Sequence, residues 1–382
     1  MNFRDSDEEH AFRLRLRKWL EENRPTEDEP TVDSERERFL AEWHHRLSEG
    51  GWLGLGWPVE LGGQGLPDGY EAIVDEELAR ADAPAKPAVV NYLGRSIAAF
   101  GSEALKARFL PRLLDGTERW CEGFSEPGAG SDLASLRTRA VRDGELYRVT
   151  GHKIWTSDGV WADWCVVLAR TDPDAPKHKG ISALIVDMHA PGVTVQPIVQ
   201  ITGKRDFCEV FFDDVEVPAD RMVGSPGDGW AFVMQTLAYE RGPGDLGFIA
   251  NFARDLDRLE RQVAGEDASP GLRLKVAQAY VDIEVLRQQT ARSLSLRAAN
   301  APPGPESSIG KLLMTRTEQS LQHVAMEVYG GAPLLGDQAE TLGDYLFSRG
   351  QSIMGGTEQI QKNIVAQRLL GMPKEPVPPS ER

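Results

Sequence analysis

Apolar residues recur at helical spacing over the first part of the chain. Phe12, Leu16, Trp19 and Leu20 form one stripe between Arg, Lys and Glu, which predicts an amphipathic helix that Pro25 and Pro30 end. A second helix is expected from Asp33 to about Ser48, stopped by Gly50-Gly51. Gly51 to Gly69, with Pro58 and Pro67, reads as loop. Helices are then expected over Tyr70–Arg80, Ala88–Phe100 and Ser102–Leu114, with Ser102 as N-cap.

Near Trp120 the period falls to two and β-branched and aromatic residues dominate. Cys208, Val210 and Phe212 share one strand face, and Phe207, Glu209 and Phe211 the other. Tyr147–Thr150, Trp164–Ala169, Ile181–Asp187 and Val193–Gln196 are further strands, with turns at Asp172–Pro176 and Ala190–Gly192. Helical texture returns at about Gly229 and holds to Leu370. Leu272, Val276, Ala279, Ile283 and Leu286 make a stripe, and Ala301–Pro305 is a loop between two helices. The pattern predicts an α+β fold: a helical domain (1–118), a middle antiparallel β domain (119–226), a C-terminal helical domain (227–371) and a mobile tail (372–382).

Composition narrows the function. At 41% hydrophobic and 27% charged residues, the chain can bury a sizeable core. The net charge of −16 argues against a nucleic-acid partner. No apolar run approaches the ~20 residues of a membrane span, and Met1-Asn2-Phe3-Arg4-Asp5 lacks the apolar core of a signal peptide. Three cysteines without a C-x-x-C fit a reducing cytoplasm. There is no G-x-G-x-x-G after a strand, no P-loop, no H-E-x-x-H and no G-x-S-x-G.

Two stretches carry chemistry. Gly123–Asp132 reads G-F-S-E-P-G-A-G-S-D, a tight loop presenting backbone N–H groups and the Ser125 and Ser131 hydroxyls to something polar or anionic. Gly151–Ser157 reads G-H-K-I-W-T-S, in which a Trp and two hydroxyls at a strand end can stack beside a flat ring and bond its edge. Singly, each is also what an ordinary turn or a core Trp looks like. Together with F-F-D-D-V-E-V-P at Phe211–Pro218 and G-G-T-E-Q-I-Q at Gly355–Gln361, they resemble the acyl-CoA dehydrogenase family over essentially the whole chain. I-T-G-K-R-D-F-C-E-V at Ile201–Val210 is similar to the actinobacterial steroid side-chain type, which often assembles from two different subunits.

The resemblance implies three domains, the last a four-helix bundle, and FAD between the β domain and the C-terminal helices. Phe124 and Ser125 would face the flavin ring, and Gly130 and Ser131 would lie near the pyrophosphate or the CoA arm. Trp155 would pack on the flavin with Thr156 beside it and the Ser157 hydroxyl near N5, while Gly356, Thr357 and Gln359 would touch the cofactor from the last helix. The implied reaction is α,β-dehydrogenation of an acyl-CoA: a carboxylate takes the α-proton, the β-hydrogen leaves as hydride to N5, and electrons pass to electron-transferring flavoprotein. Ser131, Arg241 and Gly355 would contact the substrate.

Many relatives carry the base immediately before the final G-T, where this chain has Gly355. A second group places it in an E-R pair at the first helix of the C-terminal domain, here Glu240-Arg241. Glu240 is therefore the expected base, against the alternative of a solvated or ion-paired helix Glu. The space left at Gly355 predicts branched or ring-bearing acyl groups over straight chains. The usual R-x-x-F-G segment is absent near Arg254 and Arg258, and Glu327 stands where a Gln normally faces the neighbour's FAD. Weak FAD retention by the chain alone and a heterotetramer with a related chain follow, with a homo-oligomer as alternative. A non-catalytic partner subunit and a flavin oxidase or monooxygenase are the competing functions.

Overall fold

The structure, a computed structural model, describes residues 4–240, 245–265, 268–298 and 304–374. Their contacts divide into two compact units that part after Glu240.

The first unit, Asp5–Glu240, opens with α1 (Asp7–Asn23), α2 (Asp33–Glu49), α3 (Asp68–Arg80), α4 (Ala88–Phe100) and α5 (Glu103–Asp115). Ser6 and Glu9 close a capping box on α1, and its apolar stripe is buried at Phe12, Leu16 and Leu20. Ser102 caps α5 as expected, accepting the Leu105 N–H at 3.2 Å.

Eight strands follow: β1 (Trp120–Gly123), β2 (Arg139–Asp143), β3 (Leu146–Ser157), β4 (Trp164–Arg170), β5 (Ile181–Asp187), β6 (Val193–Ile198), β7 (Phe207–Pro218) and β8 (Met222–Val223). They form one sheet of order β6-β7-β3-β2-β4-β5-β8, with β1 pairing β4 off this path. The sheet is antiparallel, as the period-two pattern predicts, except that β1 and β2 meet β4 in parallel. Residue alternation predicts a strand but not its partner's direction.

Along β4, Trp164, Val166 and Leu168 join the helix-facing core, while Cys165, Val167 and Ala169 join a second core with Tyr147, Val149, Val210 and Phe212 of β3 and β7. That double burial explains why β4 and β5 read as near-continuous apolar runs. The helix α6 (Gly229–Glu240) packs in this unit as well: Phe232 and Val233 are fully buried in the helix-facing core, and Thr236 Oγ1 donates to Ser96 Oγ of α4 at 2.9 Å. By packing, α6 thus sits with the first unit.

The second unit holds α7 (Asp245–Val263), α8 (Pro270–Ala298), α9 (Ser307–Tyr329), α10 (Ala339–Ser348) and α11 (Glu358–Ile364). Phe252, Leu256 and Leu259 of α7, Val276, Ile283 and Leu286 of α8, and Leu321 and Val324 of α9 make one core. The α8 stripe is the one its sequence period predicts. The expected loop at 301–305 is described only from Gly304, and the expected tail beyond 374 lies outside the described residues.

Candidate active site

Near its end β3 departs from regular pairing. Its register with β7 shifts between Lys153 and Thr156, and Trp155 in the bulge has a φ of 62°. A left-handed backbone costs a non-glycine residue about 1–2 kcal/mol, so the bulge marks a place where side-chain direction outweighs local comfort. Its effect is visible in exposure. Trp155 is 58% exposed, held edge-on by Phe207 at 6.1 Å, and Ser157 is exposed two residues on. The Thr156 side chain between them is buried on the opposite side, with an Oγ1 that finds no partner. Of the three expected flavin contacts here, Trp155 and Ser157 share the open face, and Thr156 turns its side chain away from it.

The glycine-rich loop is tied to this bulge. Ile154 N–H donates to the Ser125 carbonyl at 3.0 Å. Beneath it lies Lys153, fully buried, donating to the Phe124 carbonyl at 3.0 Å and to Glu126 Oε1 at 2.9 Å. Glu126 also accepts the backbone N–H groups of Arg137 and Thr138 at 2.7 and 2.8 Å. Burial pushes the Glu126 carboxyl up, but Lys153 and these donors outweigh it and hold it below its ordinary value. Burial brings the Lys153 ammonium down to about 8, so the pair is ionised at neutral pH. Sequence reading passed over both residues, although the S-E-P and G-x-K motifs contain them. Ser125 is half-buried, and Gly130 and Ser131 are exposed on the loop. The Phe124 ring is buried in the helix-facing core, so its backbone alone is left for a ligand. An exposed indole, two hydroxyls and a clamped loop of backbone donors suit a flat aromatic ring carrying polar edges and a phosphate arm, which is what FAD presents.

Glu240 ends α6 with an exposed side chain. It acts electrostatically on Tyr92 of α4 and Glu122 of β1. Next to it, Tyr239 lies under the Arg95 guanidinium at 5.0 Å. Arg241, the expected substrate contact, lies outside the described residues.

The remaining site residues belong to the second unit. Gly355 and Gly356 have φ of 62° and 92°, a turn that favours glycine at both positions. Gln361 Nε2 ties this turn down by donating to the Gly355 and Gly356 carbonyls at 2.9 and 3.3 Å. Thr357 caps α11, its Oγ1 accepting the Ile360 N–H at 3.3 Å, while Gln359 is exposed. A cavity of about 770 Å³ adjoins the turn, lined by Lys311, Arg316, Arg349 and Lys362 together with Gly356 and Glu358. Glu327, expected to repel a pyrophosphate, is itself paired with Lys275 at 2.6 Å. Arg258 lies 3.6 Å from Asp255.

Comparison with known proteins agrees with this layout. The N-terminal, middle and C-terminal acyl-CoA dehydrogenase domain models match residues 6–117, 121–215 and 227–370. The acyl-CoA dehydrogenase IpdE1 of Mycobacterium tuberculosis is 40% identical over 95% of this chain and 98% of its own. Among solved structures, the ChsE4-ChsE5 complex from Mycobacterium tuberculosis is 30% identical with a TM-score of 0.84, covering 98% of this chain and 100% of that one. The Tcur3481-Tcur3483 steroid ACAD is 30% identical with a TM-score of 0.83, at 98% and 100% coverage. Matched in all three domains and along nearly its whole length, the chain belongs to the acyl-CoA dehydrogenase family of FAD-dependent oxidoreductases.

Proposed function

We propose that the chain dehydrogenates a branched or ring-bearing acyl-CoA, with Glu240 as the base that takes the α-proton. Bound FAD would supply the acceptor for the β-hydride. The carrying observation is the placement of Glu240: it ends α6, within electrostatic reach of Glu122 and Tyr92, while the position before the final Gly-Thr is a glycine. Trp155, Ser157, Ser125 and Ser131 would hold the cofactor, and the family resemblance extends the same role to Gly356, Thr357 and Gln359. Ser131, Arg241 and Gly355 would border the substrate.

Glu240→Gln tests the assignment. FAD content and fold should persist while flavin reduction by acyl-CoA slows by roughly 10²–10⁴-fold. Near wild-type reduction with a tightly bound acyl-CoA would refute Glu240 as base. Across an acyl-CoA panel, highest kcat/KM for straight chains would refute the substrate class.

Electrons would leave through an electron-transferring flavoprotein, and oxygen consumption without added acceptor would point instead to an oxidase. The active form would be a heteromer with a related chain, in keeping with the paired names of the two solved relatives. Solution mass and flavin absorbance of the chain made alone test this, and a fully active, FAD-saturated homo-oligomer would overturn it. Among the described residues no helix is long and apolar enough to cross a membrane.

A further inference from the structure

Arg95 reaches from α4 to two other helices. Its Nη1 donates to Oδ1 of Asp68, the first residue of α3, at 2.6 Å. Its guanidinium lies over the ring of Tyr239, in the last turn of α6, at 5.0 Å. The side chain is only 10% exposed, and Nε and Nη2 are buried without a hydrogen-bond partner. Two buried donors left unpaired are costly, and an apolar side chain would fill the space without that cost. The guanidinium is seated against the backbone of Gly56, where a Cβ would come within 1.7 Å of Nη2 and 2.5 Å of Cζ. Glycine at 56 thus makes room for this placement. One turn back, α6 is already fixed: Oγ1 of the fully buried Thr236 donates to Ser96 Oγ at 2.9 Å. Ser96 Oγ in turn donates to the Tyr92 carbonyl at 2.8 Å. Residues 237–240 extend beyond that latch, and Tyr239 is the one that Arg95 grips.

We propose that Arg95 is a positioning residue for the dehydrogenation. Held by Asp68 and seated on Gly56, it clamps Tyr239 and so fixes the turn of α6 that presents Glu240. The inference rests on Glu240 being the base. Tyr239 and Glu240 are consecutive in one helical turn, so a shift of the Tyr239 ring is passed to the Glu240 backbone. Taking a proton from carbon tolerates little misplacement of the base, and an error of about 1 Å can cost up to ~10²-fold in rate. Arginine suits the task because its plane stacks on the ring while its Nη1 stays bonded to Asp68, and the point charge of a lysine could not do both. Its cation also meets the partial negative charge at the C-terminal end of α6.

The test is flavin reduction by the fastest acyl-CoA of the panel, followed on the purified holoprotein. In Gly56→Ala the added Cβ meets the flexible end of Arg95 rather than backbone, so the fold and FAD should persist while the guanidinium is displaced. The reduction rate at saturation should fall about 10-fold or more, with the half-saturating acyl-CoA concentration within about 3-fold of wild type. Tyr239→Leu should do the same, and Tyr239→Phe, which keeps a ring for the guanidinium, should restore the rate to within about 2-fold. Gly56→Ala combined with Tyr239→Leu should be no slower than Tyr239→Leu alone, because both break one chain of contacts. Reduction within about 2-fold of wild type in Gly56→Ala and Tyr239→Leu would overturn the clamp. So would equal slowing by Tyr239→Phe and Tyr239→Leu, or a rate that falls only in step with lost FAD or weaker acyl-CoA binding, since packing alone predicts those. If one variant does not fold, the other decides, and failure of both to fold would leave Arg95 a packing role and overturn the proposal. Glu240→Gln, assayed in parallel, separates the two ideas. If it reduces flavin normally the base assignment fails, and if it is inactive while Gly56→Ala and Tyr239→Leu react normally, the clamp alone fails.

Discussion

Lys153→Met removes the ammonium that clamps the glycine-rich loop while keeping the bulk of its stem. In the native fold Lys153 makes two hydrogen bonds, one of them an ion pair with Glu126. Breaking a buried pair from one side typically costs about 3–5 kcal/mol, because the other charge is left behind. Glu126 keeps two backbone donors at 2.7 and 2.8 Å, which favours the lower end, about 3 kcal/mol. For a unit of this size, at roughly 2–4 °C per kcal/mol, the melting temperature should fall by about 6–12 °C. The loop should loosen with it, so that the variant leaves gel filtration with less flavin absorbance. Adding Glu126→Gln removes the stranded charge, and the double variant should recover about 1 kcal/mol or more relative to additivity. Calorimetry and absorbance spectra read both effects. A Lys153→Met protein melting within about 2 °C of wild type, with its flavin intact, would refute the clamp.

Two other expectations concern different parts of the chain. Burial pushes the His44 imidazole down to about 4 from an unfolded value of 6.5, so the unfolded state binds more protons between these values and stability falls as pH drops through that window. His44→Gln should lessen the loss between pH 6.5 and 4 by up to about 3 kcal/mol, and parallel melting curves for the two proteins would refute this. Gly355→Ala places a Cβ at a φ of 62° and should cost about 1–2 kcal/mol, measurable as a lower denaturant midpoint. An unchanged or higher midpoint would contradict the strain.

Much of this protein follows from local pattern. The stripe of α1 and the Ser102 cap are set by residues within a turn or two of each other, and the alternation of β7 by neighbours along one strand. The motif residues were legible for the same reason: G-F-S-E-P-G-A-G-S-D and G-H-K-I-W-T-S are short and contiguous. What sequence could not supply depends on partners far along the chain. Lys153 reads as a polar residue between two strand positions until the fold brings Phe124 and Glu126 under it. Trp155 and Thr156 look like equal ligands in sequence, and only the bulge against β7 sends one outward and the other in. Glu122 reads as one more acidic residue among many, until β1, lying beside β4, buries its Oε2 without a hydrogen-bond partner. Glu327 gains Lys275 of α8 as a partner at 2.6 Å, which its sequence neighbours do not announce. Helical and strand periods are short-range and survive in any context, whereas charge, burial and side-chain direction at a site are set by which distant segments pack together.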